Sequence, residues 1–204
     1  TTNALGQCRV TISNSTAGVT QVSATVGAVA LSNSPFSINF IPGASDLTQA
    51  DISASPTRIE ADGGSKSTIT VQLNDANGNA LQNSGGTVAL SISAGTGSLS
   101  GVTDENNGQY TATYTSSTNI GTVVISGTLD GAPINDNASI ELVLGAADAA
   151  QSDISVSDAS LLADGSSQTT VTVQLYNTSG ALMSSVGDAV ALSVDLGSLS
   201  SLTE

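Results

Sequence analysis

The sequence predicts an all-β protein: tandem two-sheet β-sandwiches of about 102 residues per repeat. Three observations predict it. The chain writes one passage twice, "ADGGSKSTITVQLNDANGNAL" from Ala61 and "ADGSSQTTVTVQLYNTSGAL" from Ala163, which start 102 residues apart; a fixed period of this kind marks a repeat architecture. Apolar and polar residues alternate with a period of two over short segments, and no helical periodicity competes. Ser, Thr, Gly, Ala, Val and Asn dominate the composition, a mixture that suits strands joined by tight turns.

The elements follow in order. "DISASP" at Asp51 reads as a first strand. In Thr68–Leu73, Ile69, Val71 and Leu73 share one face and Thr68, Thr70 and Gln72 the other. "NDANGNAL" is a turn centred on Gly78, and Val88, Leu90 and Ile92 alternate after it. "GTGSLSG" lacks a following helix and a P-loop lysine, so it reads as a loop between strands rather than a phosphate cradle. Tyr110, Ala112 and Tyr114 share a face, as do Val123, Ile125, Gly127 and Leu129, then Ala138, Ile140, Leu142 and Leu144. Roughly seven short strands in about a hundred residues fit an Ig-like sandwich, half buried and antiparallel in character. The later copy repeats the start with Val171, Val173 and Leu175, a turn at Gly180, then Val190, Leu192 and Val194.

The first residues match the back of the same repeat. "CRVTISNST" aligns with "YTATYTSST", so Cys8, Val10 and Ile12 stand where Tyr110, Ala112 and Tyr114 stand. "VSATVGAVAL" aligns with "ISGTLDGAPI", and "FSINFIPGA" with "ASIELVLGA". The expected division is therefore a C-terminal half repeat at 1–46, a complete repeat at 47–146 and an N-terminal half repeat at 147–204. Phe36 and Phe40 fall on the presumed core face. Cys8, the only cysteine, forms no intramolecular disulfide and is expected as a small buried core residue.

The passages "ISASPTRIEADGGSKSTITVQLNDANGNAL", "GGTVALS…GTGSLSGVTDENNGQYTATYTSS" and "GTVVISGTLDGAPI" closely resemble bacterial Ig-like group 1 domains, the invasin/intimin-type repeats of surface adhesins. The resemblance covers the middle repeat fully and both flanks partly. It implies an extracellular, cell-surface location and repeats that act as rigid stalks holding a distal tip away from the cell. No segment matches a receptor-binding tip, so no receptor residues carry over.

Reading past Glu204 into Thr1 nearly continues the repeat: Thr203 aligns with Thr103, Glu204 with Asp104 and Gly6 with Gly108. Two readings follow. The chain is a window of a longer array, or its terminal halves complete one another head to tail in a filament. A half sandwich exposes strand edges and an apolar face, and a non-closing contact between copies generates a filament.

Three Lys/Arg against seventeen Asp/Glu give a net charge of −14. That argues against nucleic acid and anionic membranes as partners, since both need basic patches, and the longest apolar runs are only strand-sized, so no membrane insertion is expected. The expected partners are neighbouring Ig-like repeats or further copies of the chain, with any receptor unknown. Without histidine the commonest general base and zinc ligand are missing, and no nucleophile–base set is apparent; no enzyme is expected, and no cofactor beyond Ca²⁺. Asp46, Asp51, Asp148 and Asp153 recur at the repeat junctions as weak Ca²⁺ candidates, against the plainer reading of a solvated turn. Asp75, Asn77 and Asn79 look superficially like a calcium loop, but the twin "YNTSGAL" has no carboxylate, which favours a turn. Lys66 is replaced by Gln168 in the other copy, which argues against an isopeptide bond. Asn14, Asn137 and Asn177 head glycosylation sequons. A binding module would show clustered exposed aromatics or arginines; Tyr110 and Tyr114 fall on the core face, as do Phe36 and Phe40, and Arg58 is isolated from them. Structural function as a stalk or filament comes first, an adhesin module for a receptor or glycan second, and an accessory module of a carbohydrate-active enzyme third.

Overall fold

The computed structural model describes residues 3–183 and 190–201, which fall into two compact units dividing after Val143. The expected alignments at Thr203 and Glu204 lie outside the described residues. Strands and turns make up the described structure, without a helix.

The first unit opens with β1 (Gly18–Val22), β2 (Thr25–Val26), β3 (Val29–Ala30) and β4 (Phe36–Phe40). It continues with β5 (Asp51–Ser55), β6 (Arg58–Glu60), β7 (Lys66–Gln72), β8 (Val88–Ala94) and β9 (Gly97–Leu99). β10 (Thr103–Asp104), β11 (Gln109–Ser116), β12 (Gly121–Leu129) and β13 (Ala132–Val143) complete it. From β5 onward these strands form an Ig-like two-sheet sandwich. One sheet runs β10-β11-β7-β5, with β9 also on β11; the other runs β6-β13-β12-β8. Pairing is antiparallel except for β6 with β13, a parallel contact the alternation alone does not announce.

Alternation decides what this sandwich buries. Ile69, Val71 and Leu73 on β7 and beyond, Tyr110, Ala112 and Tyr114 on β11, Val123 and Ile125 on β12, and Ala138, Ile140 and Leu142 on β13 all face the core. Each larger apolar side chain so buried contributes about 1.5–3 kcal/mol. The tyrosines also need partners for their hydroxyls. Tyr114 Oη donates to Thr96 O at 2.6 Å, and Tyr110 Oη donates to Gly86 O at 2.7 Å while accepting from Gly85 N. The β12–β13 hairpin turns at Asp130–Gly131, both at positive φ (50° and 83°), the geometry that matches the twist of a two-residue hairpin.

Ahead of the sandwich, β1 pairs with β4 and β2 with β3. Their register reproduces that of β12 and β13. Gly18 faces Phe40 as Gly121 faces Leu142, Val22 faces Phe36 as Ile125 faces Ala138, and Thr25 faces Ala30 as Thr128 faces Pro133.

Three expectations fail here. Residues 7–14 do not join a sheet, and Cys8 is exposed, with Val10 86% and Ile12 50% exposed. Phe36 is 68% exposed although it lies on the predicted face. Phe36 lies on β4, whose apolar face no second sheet covers among the described residues, and residues 7–14 pair with no described strand, so neither segment has a partner that buries it. Arg58 Nε meets Glu141 Oε2 at 3.2 Å, an exposed pair of the kind that adds little stability.

In the second unit β14 (Asp153–Val156) pairs with β15 (Val171–Gln174). The register again repeats that of the sandwich: Ile154 faces Val173 as Ile52 faces Val71. The bridges Ala147–Asn177 and Tyr176–Leu182 stand where Ser45–Asp75 and Asn74–Ala80 stand in the first unit. Val190, Leu192 and Val194, expected on a strand, lie in irregular backbone.

Candidate functional site

A protein read as repeats works through its joints and its open edges. The turn "NDANGN" builds the first joint. Its Asp75 is 4% exposed, and one carboxylate oxygen accepts from the backbone N–H groups of Asn77 and Asn79, both at 2.9 Å, as turn aspartates do. The other oxygen accepts from Gly43 N at 2.8 Å. Asn79 then reaches the segment before β1: its Oδ1 accepts from Ala17 N and its Nδ2 donates to Ser15 O, both at 2.8 Å. A turn seen in the sequence only as a turn is therefore also a clamp on the residues that precede the sandwich. The signal available in the sequence was the change of Asp75 and Asn79 to Asn177 and Ala181 in the second copy. Asn177 keeps the turn, its Oδ1 accepting from Ser179 N and Ala181 N, while Ala181 has no polar side chain. Asn177 is 2% exposed, which buries its sequon; Asn14 and Asn137 are exposed.

The backbone N–H of Gly43, followed by Asn79, holds the Asp75 carboxyl down at about 2. Asp75→Asn keeps one oxygen for the turn but turns an amide against Gly43 N. The variant is expected to retain the sandwich and loosen the joint. Amide exchange at Gly43 and Ala17 is the readout, and unchanged protection there would refute the clamp.

The junction aspartates are placed as follows. Asp46 Oδ1 accepts from Thr48 Oγ1 at 2.6 Å and Thr48 N at 2.8 Å, and Asp148 Oδ1 accepts from Ala150 N at 2.8 Å, so each closes its own turn. Asp153 opens β14 on the exposed side. Asp51 opens β5 and meets Asp136, whose Oδ2 accepts from Ile52 N at 2.7 Å. Among the described residues the structure brings together no group of three or more His, Cys, Asp or Glu that could hold a metal. Lys66 begins β7 on its exposed side.

Desolvation first, then repulsion from Asp136, pushes the Asp51 carboxyl up. A carboxyl raised on folding stabilises below its unfolded pKa, and that contribution is lost as pH rises through the folded value. Asp51→Asn should therefore raise the melting temperature near about pH 7, with the gain shrinking toward about pH 3. A gain that grew on acidification would show the sign to be wrong. Asp62 behaves oppositely. The backbone N–H groups of Ser65 (2.6 Å) and Gly64 (2.8 Å), with Ser65 Oγ and Ser116 Oγ, hold it well below the carboxylate range. Asp164 repeats the arrangement with Ser166 N and Ser167 N, which explains why "ADG" recurs in both copies.

The open edges are the second feature. In the sandwich β7 lies between β5 and β11, and β12 between β13 and β8. Among the described residues their counterparts have one neighbour each, β15 only β14 and β1 only β4. A cleft of about 490 Å³ lies along the second unit, lined by Ile154, Val173, Leu175, Val190 and Leu192 among others. The corresponding Ile52, Val71, Leu73 and Val88 are core residues.

The family model described as invasin, domain 3, matches residues 46–145 and again 148–204. The chain belongs to this family. Its Ig-like repeats are of the invasin/intimin type. Among solved structures, the crystal structure of invasin, a bacterial integrin-binding protein, is 30% identical with a TM-score of 0.58. That match covers 91% of this chain and 37% of the invasin chain, so the chain spans little more than a third of that relative. FdeC, an Escherichia coli adhesin, is 22% identical with a TM-score of 0.54, covering 80% of this chain and 52% of that one, and shares the fold.

Proposed function

We propose that the chain is a structural part of a bacterial cell-surface adhesin, a length of extracellular stalk or filament rather than its receptor-binding tip. One observation carries this reading. Between β5 and β13 only Ile120 is exposed among the large hydrophobic side chains, while Tyr110 and Tyr114 are buried. A recognition surface keeps Tyr, Trp or Arg outward at its centre; this sandwich spends its aromatics on the core and presents Ser and Thr. The clamp from Asp75 and Asn79 suits a rod, because side chains bonded to the backbone of the preceding segment resist bending at the joint. The charge of −14 favours a soluble spacer.

The alternative is an adhesin module for a host receptor or glycan, since the related invasin is described as integrin-binding. Surface plasmon resonance against immobilised integrin, together with binding to host cells and glycan arrays, separates the two. The stalk reading expects no saturable binding. Saturable binding that an outward mutation on β7 or β12 abolishes would replace it with the adhesin-module reading.

A further inference from the structure

We propose that β8, the free edge of the β6-β13-β12-β8 sheet, pairs antiparallel with β8 of a second copy of the chain, Leu90 opposite Leu90, so that one sheet runs through both molecules. β8 belongs to the complete sandwich. It pairs with β12 alone, and its outward N–H and C=O groups have no partner among the described residues. Such an edge is a template for a further strand. Proteins blunt their edges with charge, proline or brevity, and the other edges of this sandwich are blunted in those ways. β5 carries Asp51 and runs into Pro56, β6 carries Arg58 and Glu60, β10 is two residues long with Asp104, and β9 has three residues. β8 has seven residues and neither charge nor proline. A bulge at Ser93 interrupts its ladder, since Val124 faces Ala94 and Ile125 faces Ile92, which leaves Val88–Ile92 regular.

Three observations make a second copy the occupant. First, the regular stretch is self-complementary. Turned about Leu90, it sets Val88 opposite Ile92 and Ala89 opposite Ser91, so the large apolar side chains stay on the core side and the small ones outside. Second, Leu90 and Ile92 pack on the core yet are only half-buried, because β8 is the last strand of its sheet. A second β8 covers their outer flanks. Third, charge selects the partner. Copies of a chain with net charge −14 meet with least repulsion at an edge that brings no carboxylate, whereas a basic foreign segment is drawn to the acidic edges. The later repeat makes the contrast within one sequence. Its passage "GDAVALSVD" has Asp188 and Asp195 where "GGTVALSIS" has Gly86 and Ser93, charges that oppose such pairing. The contact is isologous, so it closes as a pair of copies.

Directed cross-linking of the full chain supplies the test. Directly opposed residues of an antiparallel pair have Cα atoms about 4.5–5.5 Å apart, within the roughly 4.4–6.8 Å that a disulfide spans. Ala89 and Ser91 are both exposed, as is the native Cys8, which is first replaced by Ser. Chains carrying Ala89→Cys are then mixed with chains carrying Ser91→Cys and mildly oxidised. The expected product is an interchain bond between positions 89 and 91, identified by peptide mass spectrometry, with little bond formation by either variant alone. A charge pair checks the same register. Ser91→Asp on the first chain and Ala89→Asp on the second set two carboxylates opposite one another, which should cut the cross-linked fraction about tenfold. Ser91→Lys in place of Ser91→Asp should restore it, a rescue that a folding defect would not give. A mixed yield no higher than that of the separate variants overturns the proposal, as does a yield that ignores the two aspartates. Either result leaves the stalk reading standing, since that is decided by receptor binding.

Discussion

Gly108→Ala is expected to lower the melting temperature of the central sandwich by about 15 °C or more. Gly108 precedes β11 at φ +83°, a backbone conformation that L side chains rarely adopt and that costs about 1–2 kcal/mol. Its added Cβ would also lie 2.4 Å from Leu81 O and 2.7 Å from Leu81 Cβ, and backbone cannot step aside as a side-chain tip can. Gly108 O accepts from Leu73 N at 2.9 Å, so relief by moving the glycine breaks the lacing of β7 to β11. Overpacking adds about 1–3 kcal/mol, for a total near 3 kcal/mol. In a domain of this size each kcal/mol moves the midpoint by about 4–8 °C. Gly101→Ala is the control, since nothing lies within 4 Å of its added Cβ and its φ is ordinary. Circular dichroism melts of the two variants decide it: matching midpoints would mean that the Leu81 backbone yields.

How far the sequence carried the fold depends on which physical quantity each feature reports. Alternation fixes the side of a strand on which a residue lies. That is why Ile69, Val71, Tyr110, Tyr114, Val123 and Ile140 were legible as core, and why the register of β1 with β4 follows that of β12 with β13. Burial is different, because it depends on what covers the face. Phe36 lies on the expected face of β4 and is exposed because no second sheet covers it among the described residues, and Cys8 is exposed in a segment that pairs with no described strand. The parallel contact of β6 with β13 also stayed hidden, being a three-residue pairing too short to leave a pattern. At the joint, the turn chemistry of Asp75 was readable, but its bond to Gly43 and the reach of Asn79 to Ser15 and Ala17 are tertiary facts. The aspartates picked out by their recurrence, Asp46 and Asp148, recur because each closes the same local turn. Recurrence in a repeat protein reports what every repeat needs in order to fold, and that need not be a ligand.

The sharpest test of this separation between face and burial uses one residue type in two settings. Ile52 and Ile154 occupy the same position of the repeat, opposite Val71 and Val173, yet Ile52 is 3% exposed and Ile154 is 61% exposed. Ile52 belongs to the core cluster with Val71, Ile125 and Ile134. Ile52→Ala is expected to cost about 2–5 kcal/mol, the loss for a buried isoleucine that leaves a cavity. Ile154→Ala should stay within about 0.5 kcal/mol in dilute solution, as an exposed substitution does. Urea unfolding at low and high protein concentration reads both. Equal costs at the two positions would mean that Ile154 is covered in the folded protein and that face alone decides burial here.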